Sequence, residues 1–270
     1  MPLESDMELG LGGKVALVTG STAGIGFAIA KSLAKEGAHV YVNGRTKARV
    51  NAAIAAIASE GALGEVSGIV ADMSNAAGAE AVIASLPEVD VLVNNVAIFQ
   101  IAPFAEITDQ DWYRFFEVNV MSGVRMSRHY LKGMLKKNWG RILFISSESA
   151  VQIPVEMVHY GMTKTAQIAI ARGIAEGVAG TGVTVNSILP GPTESEGVGG
   201  FLDEMARQQN KTTEQLKEEF FEHARPSSLL KRFATTDEVA AMATYVASEL
   251  ASATNGAALR VDGGVVRSIL

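Results

Sequence analysis

The sequence predicts an α/β protein built on a doubly wound parallel sheet of about seven strands, with helices on both faces. Three observations predict this class. Short apolar segments rich in β-branched residues recur along the 270 residues, alanine-rich segments of helical length separate them, and a glycine-rich turn follows the first strand directly. Strands that are apolar along their whole length are typical of a parallel sheet that helices bury on both sides.

The predicted strands are the segments richest in valine, isoleucine and leucine. Because each is separated from the next by a helix-length segment, the strands are expected to run parallel with helical crossovers. No internal repeat, low-complexity tract or linker interrupts the alternation, so we expect residues 1–270 to form one domain. The strands are expected at 14–19, 40–43, 68–71, 89–93, 141–146, 183–189 and 257–261.

One long segment, at about 192–232, breaks the regular alternation. It begins with a glycine-rich turn and continues into charged, helix-prone sequence. A segment of this length at one edge of a sheet, with glycine hinges, predicts a lid over a site. Its Met205, Phe220 and Phe221 either close the site from the lid or form the buried face of an amphipathic helix.

Composition excludes several classes of protein. Of the residues, 48% are hydrophobic and 19% charged, with a formal net charge of -6, so neither nucleic acid nor an anionic membrane surface is an expected partner. Residues 1–10 carry three acidic side chains and no apolar core, and no apolar run approaches the roughly 18 residues of a membrane helix, so we expect a cytoplasmic protein. The chain has no cysteine and four well-separated histidines, so no metal site is expected.

The turn after the first strand reads Gly20-Ser-Thr-Ala-Gly24-Ile-Gly26 and leads into a helical pattern. Glycine permits a tight turn and lets the backbone approach a pyrophosphate, while the helix N-terminus supplies amide donors. In this strand–turn–helix context the glycines predict a dinucleotide site. The alternative is an ordinary glycine-rich loop.

A second motif follows the strand at 141–146. Tyr160 and Lys164 are four residues apart, so on a helix they share one face, and Ser147 stands thirteen residues before the tyrosine. This spacing is compatible with a proton donor and its partner. It is equally compatible with an exposed surface pair.

The GxxxGxG spacing, with Tyr-x-x-x-Lys downstream, resembles the short-chain dehydrogenase/reductase family, and the resemblance extends from Lys14 to Gly264. It implies a Rossmann-like fold and a nicotinamide cofactor. Val96-Ala97 departs from the small residue and glycine that the family prefers, and this added bulk would narrow the cofactor groove or shift the neighbouring backbone. The other matching positions are Asp72, Asn94-Asn95, Asn119, Ser147 and Pro190-Gly191 with Thr193.

The resemblance also implies catalytic roles. Tyr160 would be the general acid/base, with its pKa lowered by the Lys164 ammonium and by the positive nicotinamide ring. Ser147 would hydrogen-bond the reacting oxygen, and strand alternation turns its neighbour Ser146 to the other face. Lys164 would also bind the nicotinamide ribose. Asn119 would hold a water that connects Lys164 to solvent.

Cofactor preference is predicted from the end of the second strand. Val42-Asn-Gly-Arg45-Thr46 contains no carboxylate to accept a ribose 2′-hydroxyl, and Arg45 can pair with a 2′-phosphate, so NADP(H) is favoured over NAD(H). Alternatively, Arg45 stacks on the adenine of NAD(H). The full set of expected cofactor contacts is Gly20, Ser21, Thr22, Gly24, Ile25, Gly26, Arg45, Thr46, Asp72, Met73, Asn95, Val96, Tyr160, Lys164, Pro190, Gly191 and Thr193.

The substrate is expected to be a small to medium, largely apolar ketone or secondary alcohol, because most residues that the resemblance places at the pocket are apolar. Glu148 either recognises a cationic or polyhydroxylated substrate, or is solvated, or pairs with a neighbouring arginine. His159 projects away from Tyr160 and is expected to be structural or interfacial. The expected lining residues are Ile98, Phe99, Gln100, Gln152, Ile153, Met157 and those after Pro192.

The sequence therefore favours an oxidoreductase that transfers a hydride between NADP(H) and a ketone or secondary alcohol. Two alternatives remain open: a cofactor-binding regulatory protein without turnover, and a nucleotide-sugar epimerase or dehydratase. By resemblance, the protein is expected to form a homodimer or homotetramer.

Overall fold

The computed structural model describes residues 8–209 and 211–269, without the side chains of Phe201, Glu204, Met205 and Gln208. Seven parallel strands form the main sheet in the order β3-β2-β1-β4-β5-β6-β9, and two short strands form a second sheet, β7-β8. The seven predicted strands are confirmed, with ends that move by at most two residues. The strands are β1 (Val15–Val18), β2 (His39–Gly44), β3 (Val66–Val70), β4 (Val91–Asn94), β5 (Gly140–Ile145), β6 (Val183–Pro190), β7 (Thr193–Glu194), β8 (Ala234–Thr235) and β9 (Ala258–Val261).

Helices cover both faces of the main sheet, as a doubly wound fold requires. The first, second and ninth helices contribute Ile29, Val50 and Val239 to a core on one face. The third, fifth and sixth contribute Val82, Met126 and Ala171 to a core on the other. The helices are α1 (Gly24–Lys35), α2 (Lys47–Ser59), α3 (Ala76–Ser85), α4 (Asp109–Phe116), α5 (Ser122–Lys137), α6 (Val158–Gly177), α7 (Glu196–Gln209), α8 (Thr213–Glu219) and α9 (Thr236–Ala247).

The strand order reverses between the neighbouring strands β1 and β4. From β1 the chain continues to β2 and β3 on one side, and from β4 it continues to β5 and β6 on the other. In an open parallel sheet, such a reversal leaves a crevice outside the carboxyl ends of the strands, and ligands bind there. The glycine turn follows β1 and Ser147 follows β5, so both motifs lie at this edge. The topology thus places the two sequence motifs at one site.

The segment 192–232 contains β7, α7, α8 and a π-helical turn at Phe220–Ala224. It has a small apolar core of its own, formed by Leu202, Ala206, Leu216, Phe221 and Phe233. Phe221 is buried in that core, whereas Phe220 also lines the cavity beside Tyr160. Phe221 therefore belongs to the buried face of the lid helices, and Phe220 closes the cavity from the lid. The side chain of Met205 lies outside the described residues.

Within 8–209 and 211–269, no helix combines the length and apolar character needed to span a bilayer. The expectation about the acidic N-terminal segment falls mostly on residues 1–7, which lie outside the described part of the chain.

Candidate active site

The turn after β1 is shaped by glycines that no other residue replaces without strain. Gly20 and Gly24 have φ of +61° and +59°, the left-handed region that favours glycine. A Cβ on Gly20 would lie 2.9 Å from Val96 Cγ2, and one on Gly26 would overlap the Asn95 amide. The loop can therefore present bare backbone at the N-terminus of α1, which fits the pyrophosphate of a dinucleotide.

Asn95 and Val96 hold this turn from β4. The Asn95 amide donates to the carbonyl oxygens of Thr19 and Gly20, each at 3.0 Å. Val96 packs directly against Gly20, which is where the sequence predicts a narrowed groove. Both residues therefore fix the shape of the glycine turn that borders the cofactor groove.

Ser21 corrects one predicted cofactor contact. Its hydroxyl donates to the carbonyl of Val18 at 2.6 Å and accepts the amide of Asn43 at 2.9 Å. Its own amide donates to the Asn43 carbonyl, and the residue has 0% exposure. Ser21 thus ties β1 to β2 inside the protein and has no donor left for a cofactor.

Met73, another predicted cofactor contact, has its side chain buried in the core on the α3 face, so a contact with the cofactor would come from its backbone. Asp72, beside it, is exposed, and its carboxylate accepts the amide of Ser74 at 3.0 Å. Only the aspartate side chain is therefore at the surface of the crevice.

The end of β2 carries exposed Arg45 and Thr46. The hydroxyl of Thr46 caps α2 by accepting the amide of Arg49. The Arg49 guanidinium forms two bonds to Glu196 at the start of α7, at 3.1 and 2.9 Å. Arg49 is a second basic residue at this end of the crevice that sequence reasoning missed.

Tyr160, Lys164 and Ser147 come together where β5 meets α6. The Lys164 ammonium lies 5.6 Å from the centroid of the Tyr160 ring, so the predicted helical pair is real. Ser147 lies next to the tyrosine hydroxyl. Both residues line a cavity of about 590 Å³, and the edge of the Tyr160 ring faces Phe99 with 6.5 Å between centroids.

The two adjacent serines point in different directions, as strand alternation predicts. Ser146 donates to the carbonyl of Lys164 at 2.8 Å and so anchors α6 to β5. The Ser147 hydroxyl donates to Glu148 Oε2 at 2.5 Å. The same carboxylate oxygen accepts the amide and the hydroxyl of Ser149, at 2.9 and 3.2 Å.

The other oxygen of Glu148 pairs with an arginine from the lid. Arg225 Nε lies 3.1 Å from Glu148 Oε1, and both side chains are buried. Arg225 Nη1 approaches Glu156 at 3.5 Å and donates to the carbonyl of Ala224 at 2.9 Å. The structure thus confirms the arginine partner considered for Glu148. It also places the pair in the wall of the cavity.

Lys164 is held from the opposite side by a residue that sequence reasoning missed. Its ammonium donates to the carbonyl of Ile145 at 2.8 Å and to Gln167 Oε1 at 3.3 Å. Gln167 Nε2 donates to the carbonyl of Asn119 at 2.6 Å. Gln167 thus connects Lys164 directly to the Asn119 backbone, and the water expected at Asn119 stays a prediction. Gln167 is three positions after Lys164, on the same helical face, which is the signal that could have revealed it.

Asn119 itself lies in a π-helical turn, Glu117–Met121, between α4 and α5. Its side chain accepts the amide of Ile98 at 2.8 Å and donates to the Ile98 carbonyl and to Thr163, each at 3.0 Å. These bonds join the loop after β4 to α6. Asn119 therefore helps to fix the position of α6, the helix that carries Lys164 and Tyr160.

Burial shifts the pKa values of both helix residues. It lowers the pKa of Lys164 to about 7, because the charged ammonium is desolvated. Burial, and then the nearby Glu148 charge, raises the pKa of Tyr160, while the neighbouring Ser147 hydroxyl and the Arg225 charge lower it. Lys164 is not among the causes of this shift, and the expectation that it lowers the tyrosine pKa together with the nicotinamide ring stays a prediction.

The cavity has an apolar side and an ionic side. Of the six residues expected between β4 and α6, Phe99 and Met157 line it. The expectation of a largely apolar pocket is confirmed, because most of the lining is apolar, while Glu148, Glu156 and Arg225 form an ionic patch on one side. Of the predicted cofactor contacts, those that line it are Ile25, Tyr160, Pro190, Gly191 and Thr193.

His159, next to Tyr160, is turned away from the cavity, as expected. Its ring packs on Phe115 with 4.0 Å between centroids and on Trp112 with 6.1 Å. Among the described residues, no group of three or more His, Asp or Glu side chains is arranged to hold a metal ion.

Comparison with known proteins decides the family. The family model described as short chain dehydrogenase matches residues 14–206. The chain belongs to the short-chain dehydrogenase/reductase family. It is an oxidoreductase of the kind that acts on alcohol and carbonyl groups, and its site is that of a nicotinamide cofactor.

Relatives of this short-chain dehydrogenase/reductase cover nearly its whole length. The chain is 46% identical over 97% of its length to all of the uncharacterized oxidoreductase YvaG of Bacillus subtilis. It is 36% identical over 95% of its length to D-beta-hydroxybutyrate dehydrogenase of Cupriavidus necator, of which 99% is covered. The crystal structure of L-sorbose reductase from Gluconobacter frateurii, complexed with NADPH and L-sorbose, superposes with a TM-score of 0.91 at 30% identity, covering 97% of this chain and 100% of that one.

Proposed function

We propose that the protein transfers a hydride between NADP(H) and a ketone or secondary alcohol, with Tyr160 exchanging the proton. The observation that carries this proposal is the convergence of Tyr160, Ser147 and Lys164 beside a cavity that opens next to the glycine turn. A single cavity then holds a proton donor, a hydrogen-bond donor for an oxygen, and room for a substrate.

In the direction of reduction, Tyr160 donates its proton to the carbonyl oxygen as that oxygen becomes an alkoxide, so the product is a secondary alcohol. When bound, the nicotinamide supplies the hydride to the carbonyl carbon, and its oxidised ring adds the positive charge that favours the tyrosinate. Ser147 turns its hydroxyl from Glu148 toward the substrate by rotation about the Cβ–Oγ bond, and it stabilises the developing charge. Lys164 binds the nicotinamide ribose.

The preference for NADP(H) is supported by the basic residues after β2. Arg45 is exposed directly after β2, where a ribose 2′-substituent would bind, and no carboxylate stands at the end of the strand. A guanidinium binds a phosphate through charge-assisted hydrogen bonds. Solved relatives whose names include NADPH, such as L-sorbose reductase and an actinorhodin polyketide ketoreductase, agree with this preference.

We also propose that residues 192–232 act as a lid within one catalytic domain. The ion pair between Arg49 and Glu196 joins the lid to α2 across the cofactor crevice, and Arg225 joins it to Glu148. Opening the lid would separate both pairs. The cytoplasmic location and the homodimer or homotetramer stay predictions.

The test is reduction of neutral ketones by the purified protein with NADPH and, separately, NADH, followed by loss of the reduced nicotinamide absorbance. We expect turnover with both cofactors and a higher kcat/KM with NADPH. Tight binding of dinucleotide without hydride transfer to any ketone would instead favour a regulatory protein.

A further inference from the structure

The ionic side of the cavity carries more negative than positive charge. Glu148, Glu156 and Glu219 line it, and Glu219 is paired outside the cavity with Lys211 at 2.7 Å. Among the described lining residues Arg225 is the one arginine or lysine, and its guanidinium contacts both Glu148 and Glu156. Two carboxylates and one guanidinium leave a net charge of about -1 beside the reacting groups.

The carboxylate of Glu148 is fixed rather than mobile. It accepts three hydrogen bonds on one oxygen and an arginine on the other. It is 5% exposed. This buried carboxylate keeps its place when a substrate enters, because its bonds to Ser149 and Arg225 remain after the Ser147 hydroxyl turns to the substrate.

Its position relative to the reacting carbon follows from Ser147. Glu148 Oε2 is 2.5 Å from Ser147 Oγ. A substrate oxygen that Ser147 holds at about 2.8 Å lies within roughly 5 Å of that carboxylate oxygen. One of the two groups attached to the carbonyl carbon therefore faces Glu148 and Arg225.

Resting on the proposed function, we infer that the substrate is a neutral ketone with a hydroxyl group on the carbon next to the carbonyl, and that Glu148, Arg225 and Glu156 select it. A hydroxyl both donates and accepts. It therefore satisfies a carboxylate and a guanidinium at once. A carboxylate at the same place meets a fixed like charge whose neutralising arginine is already paired. The apolar side formed by Phe99 and Phe220 accommodates the rest of the molecule.

The reaction balances with the proposed cofactor alone. Hydride from NADPH forms the new C–H bond, the C=O π bond breaks, and the proton from Tyr160 completes the alcohol. The product is a vicinal diol, and the nicotinamide is left oxidised. The hydroxyl next to the carbonyl takes no part in the redox step.

Four ketones that differ in one group test this selection: 2-butanone, 1-hydroxy-2-butanone, 1-methoxy-2-butanone and 2-oxobutanoate, each reduced with NADPH. We expect kcat/KM for the hydroxy ketone to exceed that for 2-butanone by about tenfold or more, and that for 2-oxobutanoate to fall about tenfold or more below it. The methoxy compound withdraws electrons without offering a donor, so we expect it to stay near 2-butanone.

Variants show which residues select. Glu148→Gln keeps the side-chain shape and removes the charge, so the ratio of kcat/KM for 2-oxobutanoate to that for 2-butanone should rise about tenfold. If the substitution also disturbs Ser147, it slows the reduction of both ketones, and the ratio of their kcat/KM values cancels this common effect. Glu156→Gln, at the partly exposed partner of Arg225, should raise the same ratio. This variant tests the inference if Glu148→Gln fails to fold. Glu218→Gln is the matched control, because this exposed lid glutamate is absent from the cavity wall.

Reduction of 2-oxobutanoate as fast as 2-butanone would overturn the inference alone, and so would a ratio unchanged in both variants. Fast reduction of 2-oxobutanoate would mean that Arg225 leaves Glu148 and binds the substrate carboxylate. Absence of turnover with all four ketones would overturn the proposed function together with it.

Discussion

The ammonium of Lys164 lies 3.3 Å from the side-chain oxygen of Gln167, whose nitrogen in turn donates to the carbonyl of Asn119 at 2.6 Å. All three residues are buried. A water can accept one proton and release another, but an amide holds its protons and offers fixed donor and acceptor ends. Gln167 therefore fixes Lys164 in place and closes this side of the lysine to proton exchange.

Gln167→Leu should destabilise the protein, because leucine has a similar volume but leaves the Asn119 carbonyl and a donor of Lys164 without partners. Buried groups left in this state cost about 1–3 kcal/mol. We expect the free energy of unfolding in urea to fall by that amount. Gln167→Glu, which retains an acceptor for Lys164, should lose less. Equal stability of Gln167→Leu and the unaltered protein would show that the amide carries no structural role.

Tyr160→Phe should remove turnover and leave cofactor affinity nearly intact. The substitution keeps the ring that faces Phe99 and removes only the hydroxyl that Ser147 contacts. Loss of a general acid typically costs about 100-fold or more in rate. Steady-state kinetics and NADPH titration measure the two effects separately. Tyr245→Phe, on exposed surface of α9, is the matched control, and retained activity in Tyr160→Phe would contradict the mechanism.

Arg45→Ala should weaken NADP(H) much more than NAD(H). The lost hydrogen bonds to a charged phosphate are worth about 1.5–3 kcal/mol, or roughly tenfold to a hundredfold in Kd, whereas a 2′-hydroxyl loses little. Titration with both cofactors measures the difference. Lys136→Ala removes a charge from the C-terminal end of α5, at the opposite edge of the sheet, and should leave both affinities unchanged. Equal losses for the two cofactors in Arg45→Ala would overturn the preference.

The parts of the fold and site that depend on local spacing were predictable from the sequence. Apolar runs gave the seven strands, and the four-residue separation of Tyr160 and Lys164 gave their shared face. The alternation of Ser146 and Ser147 at the end of a strand was predictable for the same reason. In each case the relevant geometry is set within a few residues of the chain.

Contacts between distant parts of the chain were not predictable in this way. Arg225 meets Glu148 across 77 positions, and Arg49 meets Glu196 across 147. Neither arginine stands in a local pattern that names its partner. Ser21 fails for another reason, since a residue inside a glycine turn can face the ligand or the protein, and only its bonds to Val18 and Asn43 decide.

The pKa of Lys164 links its burial to stability. Burial lowers the pKa from 10.5 to about 7 in the folded protein, while the unfolded chain keeps the ordinary value. Above about pH 7 the unfolded state therefore binds one more proton than the folded state, and stability rises with pH. The gain approaches 1.4 kcal/mol per pH unit at most. Tyr160, whose pKa is raised, opposes this only as pH approaches its ordinary value of 10.

We therefore expect the free energy of unfolding, measured in urea without added nucleotide, to rise by about 1 kcal/mol per unit between about pH 7 and pH 9. Lys164→Met removes the titrating group and should make this part of the profile nearly flat, with a higher stability at pH 7. Lys47→Met, at an exposed site on α2, should keep the slope. A flat profile in the unaltered protein would mean that Lys164 is charged in the folded state, held so by Gln167 and the Ile145 carbonyl.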